Sequence, residues 1–241
     1  PIQLPPGRNG MQPNISLNYS SGNGNGWIGI GWDISIPCVS IDTRWGVPRY
    51  SETYETEEYL LNGVQLVTKD RNGLLPLLHN TNDMRSRHSD GQQFYERTGD
   101  AHDSIIRHGD TPSNYWWEVV DRSGVTHYYG HEPVSGGYVP LVQPTLKNEK
   151  GDIARWMLTE SRDIYGNNVK YFYSHYKAPD EGANYGSQIY LDSIVYTGHK
   201  EEKGLYSIVF CREVDSNDIK TSCNYDKRGY GFHGTCQNEG C

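Results

Sequence analysis

Several residue groupings in this sequence have the types, though not all the spacing, that chemistry requires. Gly24-Asn25-Gly26-Trp27-Ile28-Gly29 spells G-x-G-x-x-G. A dinucleotide site needs a strand before that motif and a helix after it, with the helix N-terminus facing the pyrophosphate. Here strand-like alternation follows and Pro37 ends it, so the expectation is a glycine turn beside a closely packed strand. Nine histidines form no HExxH pair, and no GxSxG elbow activates a serine. His127 alternates with Val125 and Tyr129, which places it on a strand as a packed cross-strand residue. Asp215-Ser216-Asn217-Asp218 opens like a calcium loop but carries Lys220 and Asp226 where Gly and Glu belong. Of five cysteines, Cys211, Cys223, Cys236 and Cys241 crowd the last thirty-one residues and Cys38 stands apart. Disulfides among the four, free thiols, and a zinc site from Cys223, His233, Cys236 and Cys241 are the three readings. The spacings match no standard zinc finger.

Glu55-Thr56-Glu57 has the E-x-E spacing used by ADP-ribosyltransferases, and on a strand the two carboxylates would share a face. The run 54–58 is acidic and no Ser-Thr-Ser strand precedes it. The expectation is therefore a solvated edge strand whose charges discourage sheet-to-sheet association. The aromatic stock includes Trp116, Trp117, Tyr128, Tyr129, Tyr171 and Tyr173. These side chains could stack on sugars, but in a chain poor in aliphatics they are expected first as core.

The elements that must position these residues are strands. Among 241 residues there are only four alanines, against 19 Tyr, 6 Trp and 4 Phe, a composition that disfavours a helical protein. Ile15, Leu17 and Tyr19 alternate with polar residues, as do Ile28, Ile30, Trp32, Ile34 and Ile36 with small ones. They read as a hairpin whose apolar face packs. Tyr59–Val67 centres on Asn62-Gly63, the pair suited to a two-residue hairpin turn. Asp121–Gly124 and Asp163–Gly166 repeat an Asp-x-x-Gly turn between aromatic strands. Ile189–Tyr196 and Leu205–Cys211 make a further pair. The chain reads as all-β, built of hairpin-rich antiparallel sheets in a shell or sandwich with long polar loops.

Charge and hydropathy remove other classes. The formal net charge is −8, opposite to a nucleic-acid footprint. No apolar run approaches the ~20 residues needed to span a bilayer. The first thirty residues have neither the basic start nor the apolar segment of a signal peptide.

The opening blocks Pro5–Gly10, Pro13–Gly22 and Gly26-Trp27-Ile28-Gly29-Ile30-Gly31-Trp32 resemble the SpvB/TcaC-type N-terminal domain. That domain opens the B component of insecticidal Tc toxin complexes and the Salmonella virulence plasmid B protein. Later pieces agree in order: Tyr59–Gly63 with Asn62, Trp117-Glu118-Val119 with Gly124 and Gly130, Trp156-Met157-Leu158 with Asp163, Gly166 and Asn167, and 190–210. The likeness covers residues 1–214. Residues 215–241, with Cys223, Cys236 and Cys241, depart from it as an extension or truncated continuation. The chain stops where family members continue, so it reads as a fragment or a short stand-alone relative.

The resemblance implies a non-catalytic structural or docking module of a secreted toxin or virulence factor. It implies no cofactor, no metal and no catalytic residue. Partners would be other toxin chains or the remainder of a larger chain, joined through sheet edges and aromatic faces, with a host surface as a further partner. The alternatives are a secreted glycan- or surface-binding module and, third, a hydrolase or ADP-ribosyltransferase-type enzyme.

Overall fold

The computed structural model describes residues 1–210 apart from 23, 27, 71–72, 76–84, 89, 99–102, 132–143 and 177–187. Trp27, Cys211, Cys223, Cys236, Cys241 and the extension expected over 215–241 therefore lie outside the described residues. The fold is antiparallel β throughout, with one short helical turn at Arg8–Gly10.

An N-terminal ribbon holds β1 (Leu17–Tyr19), β2 (Asn25–Gly26), β3 (Gly29–Ile30) and β4 (Trp32–Ile34) in the order β1-β4-β3-β2. The chain continues through β5 (Cys38–Ile41), the short β6 (Tyr54–Glu55), the hairpin β7 (Tyr59–Leu61) and β8 (Val64–Asp70), then β9 (Gly73–Leu75) and β10 (Arg85–Ser86). Next come β11 (Gln92–Glu96), β12 (Ser104–His108), β13 (Trp116–Val120), β14 (Thr126–Tyr129) and β15 (Thr145–Lys147). Long strands close the described chain: β16 (Ile153–Arg162), β17 (Asn167–Tyr176) and β18 (Gln188–His199), with β19 (Tyr206–Val209) at the edge.

Eight of these strands close into a barrel, β5-β7-β8-β11-β12-β13-β14-β16, because β16 pairs with β14 on one side and with β5 on the other. An eight-strand barrel is just wide enough to be filled by side chains, and here six aromatic rings share the interior with eight aliphatic side chains. Trp117 lies within 5.0 Å of Tyr59, 5.1 Å of Phe94 and 6.0 Å of Trp156, centroid to centroid, in tilted and edge-on contacts. Val39, Ile41, Leu61, Leu66, Ile105, Val119 and Leu158 fill between them. The lean aliphatic content is thus offset by aromatics, each able to bury about 150–250 Å².

β16 is a shared wall. Trp156 and Leu158 point into the barrel, while Met157 between them joins a second core with Val169, Tyr173, Leu191, Ile194 and Tyr196 of β17 and β18. Ile15 and Ile34 of the ribbon region close that core, and Tyr196 Oη donates to the carbonyl of Pro5 at 3.2 Å.

Local turn chemistry fixes the registers. Asn62 and Gly63 adopt φ of 51° and 86°, and Leu61 pairs with Val64 across them. Asp121 Oδ1 accepts from the backbone N–H of Ser123 and Val125; Asp163 Oδ1 accepts from Tyr165 and Asn167. A third copy of this turn, at Asn148–Gly151, was not expected from sequence; Asn148 Oδ1 accepts from Lys150 and Asp152. It escapes a search for Asp-x-x-Gly because the amide replaces the carboxylate while the acceptor geometry is kept.

Two expectations need correction. The alternation 28–36 is not one strand: Gly31 interrupts it with φ of 79°, splitting β3 from β4. Its apolar face does not pack along its length. Ile34 is buried, but Ile28, Ile30 and Trp32 are exposed, as are Leu17 and Tyr19.

Candidate docking surfaces and a buried charge cluster

The E-x-E pair is not a solvated edge. Glu55 does lie on a short strand, β6, but the segment between β5 and β7 that carries it and Glu57 folds against the end of the barrel, where each carboxylate meets an arginine. Arg107 points inward from β12 on the same face as Ile105, and its side chain is fully buried. It donates to Glu55 Oε1 at 2.5 Å and Oε2 at 3.0 Å and to Tyr59 Oη at 3.2 Å, and its guanidinium lies 4.0 Å over the Tyr115 ring. Arg87 donates to Glu57 Oε2 at 2.7 Å and to the carbonyls of Ser51 and Tyr54 at 2.6 and 2.9 Å. Glu57 also accepts from the backbone N–H of Tyr50 at 2.7 Å and from the Thr56 hydroxyl. Burial pushes the Tyr59 hydroxyl far above its ordinary range, the cations beside it offsetting only part of the effect.

Every oxygen of this carboxylate pair is thus engaged with a cation or donor that orders the loop. A carboxylate serving as acid, base or nucleophile must instead face a reacting atom. The adjoining cleft, of about 70 Å³ and lined by Glu55, Glu57, Glu58, Arg85 and Phe94 among others, is far smaller than the few hundred Å³ of a ligand pocket.

Histidine offers a second grouping that sequence alone left open. His127 Nδ1 lies 2.8 Å from Ser161 Oγ, and Nε2 lies 3.5 Å from Asp121 Oδ2. The arrangement has the members of a Ser–His–Asp set, but Ser161 is buried in mid-sheet, paired with Val169 and His127 across two ladders. Asp121 is committed to its own turn. Burial would raise its pKa, yet hydrogen bonds from Ser123, Val125 and His127 outweigh it and hold the carboxyl below the usual range. The geometry cross-links β14 to β16, as a packed cross-strand histidine does. Among the described residues no three His, Cys, Asp or Glu side chains are placed to hold a metal.

The aromatic residues divide by face. Trp117, Tyr129 and Tyr173 are core, and Trp116, Tyr128 and Tyr171 are half-buried. On the barrel wall Trp116 is stacked by His108 at 4.0 Å and flanked by His131 at 4.5 Å, so that ring is not an open sugar platform. The exposed rings are elsewhere. Leu17, Tyr19 and Trp32 share one face of the ribbon with buried Ile34, through the register Leu17↔Ile34 and Tyr19↔Trp32. Tyr19 and Trp32 touch at 5.1 Å, and Ile28 and Ile30 are exposed on the same ribbon. This face is anchored in the second core at one end and runs out of it at the other. At the far edge of the large sheet, β19 pairs only with β18 among the described residues; it exposes Tyr206 and Val209, and Leu205 just before it is exposed as well.

The residues singled out from sequence fall on these features. Gly22 is in the ribbon's first turn, Gly26 on β2, Gly29 on β3, Gly31 between β3 and β4, and Trp32 at the exposed ring pair. Asn62 and Gly63 form the β7–β8 turn; Gly124, Asp163, Gly166 and Asn167 form the Asp-anchored turns. Gly130 follows β14, where an added Cβ would drive into the Trp156 indole. Trp156 in turn donates Nε1–H to the carbonyl of Tyr115 at 2.5 Å. Sequence reasoning did not find Arg87 and Arg107; no local pattern marks either as a partner of Glu57 or Glu55.

A family model described as Salmonella virulence plasmid 65kDa B protein (SpvB) matches residues 1–233. Similar proteins include "Mono(ADP-ribosyl)transferase SpvB" of Salmonella choleraesuis (strain SC-B67) and of Salmonella enteritidis. Each is 25% identical over 170 residues, covering 68% of this chain and 27% of its own. The chain thus spans about a quarter of the length of these relatives. Among solved structures, TcdB2-TccC3 aligns with a TM-score of 0.65 at 24% identity, over 89% of this chain and 11% of that one. The N-terminal domain of the effector protein SpvB from Salmonella typhimurium strain LT2 aligns with a TM-score of 0.62 at 21% identity, over 94% and 73%. At these identities the structural likeness establishes the fold.

Proposed function

The chain belongs to the SpvB family, and from that membership and its outward-facing apolar ribbon we propose that it is a non-catalytic structural and docking module of a secreted bacterial toxin or virulence factor. Its partners are other toxin chains or further parts of a longer chain. The observation that carries this reading is the Leu17–Tyr19–Trp32 face. Clustered exposed apolar side chains are the kind of surface that proteins use for interaction, and these lie in the opening Gly/Trp block. The groups that could have done chemistry support it from the other side, since Glu55, Glu57, Asp121, His127 and Ser161 are each engaged in holding strands or loops together.

The relatives named as mono(ADP-ribosyl)transferases align with this chain over about a quarter of their length, so the transferase activity in their name is not carried over to it. The matched Tc structures support association with toxin chains, and the β19 edge, which has no second neighbour among the described residues, offers backbone donors and acceptors for strand addition.

The test is site-specific photo-crosslinking in the producing cells. A benzophenone side chain at Tyr19 or Tyr206 is expected to capture another toxin polypeptide, while the same group at Glu118 on the barrel wall is not. Capture from Glu118 alone, or none from Tyr19 and Tyr206, contradicts the proposal. Binding of the purified chain to a glycan array, lost on Tyr19→Ala, would instead establish the glycan-binding alternative.

A further inference from the structure

We propose that His108 is a proton-operated clasp: a proton taken up by its imidazole draws Asp90, in the segment entering β11, and Glu118, on β13, onto the ring and tightens that part of the barrel wall in mildly acidic surroundings. A neutral imidazole carries one N–H donor and one lone pair, so one acceptor and one donor satisfy it. His127 has such a pair, the Ser161 hydroxyl at Nδ1 and the Asp121 carboxylate at Nε2. His108 does not. Its Nδ1 lies 3.6 Å from Asp90 Oδ1 and its Nε2 lies 3.9 Å from Glu118 Oε2. Whichever nitrogen of the neutral ring carries the proton, the other directs its lone pair at a carboxylate. Both separations are just beyond hydrogen-bond reach, and Nε2 is buried with no hydrogen-bond partner among the described residues. The imidazolium has a donor at each nitrogen and makes an acceptor of each carboxylate.

The surroundings favour the same form. The His108 ring lies 4.0 Å from the Trp116 indole with 13° between the planes, so the added charge rests on an aromatic face. The groups that could compete for it are accounted for element by element. Arg107, the neighbour on β12, points into the barrel and is paired with Glu55. Asp110, in the loop after β12, accepts from the Asn114 amide at 2.6 Å. Tyr128 on β14 and His131 just after it lie against the Trp116 ring. Asp90 is already in position, because its Oδ1 accepts from the Gly109 N–H at 2.8 Å. That hydrogen bond first, and the His108 charge with it, holds the Asp90 carboxyl below the usual range. Asp90 therefore stays ionised on the acid side of the ordinary carboxylate value of about 4, while an imidazole ordinarily takes up its proton near about 6.5. The clasp is closed between these values and is lost as pH rises through the titration of the ring. The segment it holds runs from Arg87, which pins Glu57, into β11, so acid reinforces the buried charge cluster from outside.

The experiment is urea unfolding of the full chain beside His108→Phe, which keeps a ring on Trp116 and removes the titration. At pH 8 and at pH 5.5 the difference between the two proteins isolates His108, because the other titrating groups are common to both. Between those values the wild type is expected to gain on the variant about fivefold in its folding equilibrium, the scale of partly exposed ion pairs. Asp90→Asn and Glu118→Gln should each remove part of that gain. Native-state hydrogen exchange supplies a reading that needs no variant: on going to pH 5.5 the Gly109 amide, bonded to Asp90, slows by more than its intrinsic rate does. A wild-type-to-variant ratio that is the same at both pH values, or that moves the other way, overturns the proposal. So does a gain left whole by both carboxylate variants, or one carried by His131→Phe in place of His108→Phe. These outcomes are independent of the docking role of the ribbon, which the Tyr19 and Tyr206 crosslinks test.

Discussion

Replacing Arg107 with alanine puts the interior of the barrel to a quantitative test. Arg107 is fully buried, makes three hydrogen bonds to Glu55 and Tyr59, and stacks on Tyr115. Removing one partner of a buried ion pair costs about 3–5 kcal/mol, because the remaining charge stays desolvated. Glu55 is not wholly abandoned, since its side chain is 13% exposed and Arg87 Nη1 lies 3.4 Å away. That relief works against the added cost of the cavity left between Tyr59, Phe94 and Tyr115, so we expect a loss of about 3–4 kcal/mol. Urea unfolding at neutral pH reads it as a lower midpoint with an unchanged slope. Arg107→Met keeps most of the volume and isolates the charge; it should lose nearly as much. Adding Glu55→Gln to Arg107→Met should recover about 1–2 kcal/mol, since the stranded carboxylate is gone. A loss below about 1 kcal/mol for Arg107→Ala, or a double variant no more stable than Arg107→Met, would refute the reading of the cluster as a structural lock.

Three further outcomes follow from named contacts. Gly130→Ala combines φ of 70° with a Cβ directed into the Trp156 indole and should cost about 2–4 kcal/mol, read by thermal or urea unfolding. Asp121 and Asp163 are held below the ordinary carboxylate range; for Asp163, as for Asp121, burial acts upward and is outweighed by hydrogen bonds, here from Asn167, Asn9 and Tyr165. Because the folded pKa is depressed, their stabilisation is present above the unfolded value of about 4 and is lost as pH falls through the folded one. Asp163→Asn should therefore flatten the acid limb of a stability–pH curve. In the alkaline direction the sign reverses. Burial pushes Tyr50 and Tyr171 up to about 12, with the Glu57 and Asp152 charges adding to Tyr50 and a Ser161 hydrogen bond partly opposing for Tyr171. Their contribution is intact below the unfolded value of about 10 and lost as pH rises above it. A titration at 295 nm should show a delayed class of tyrosines that ionises early only after unfolding.

The legible part of the fold was the local part. Asn62-Gly63 and the Asp-anchored turns specify their hairpins from side chains within five residues, and they stand where the sequence places them. Barrel closure was not legible, because it rests on β16 meeting both β5 and β14 at separations no pattern encodes. Glu55 and Glu57 were misread as solvated for the same reason: their cations lie 30 to 52 residues away, on β12 and beyond β10. The alternation of Leu17, Tyr19 and Trp32 is real, but period two marks a face without stating what covers it. Only the structure shows that Ile34 enters the core while its neighbours face outward.

Incubation of the purified chain with nicotinamide-labelled NAD⁺ sets the docking reading against the activity named for its relatives. If Glu55 and Glu57 serve as structural counter-ions, nicotinamide release will match the buffer control, and Glu57→Gln will alter unfolding but not release. Release above that control which disappears in a still-folded Glu57→Gln protein would show a working carboxylate at the barrel's end and contradict the account.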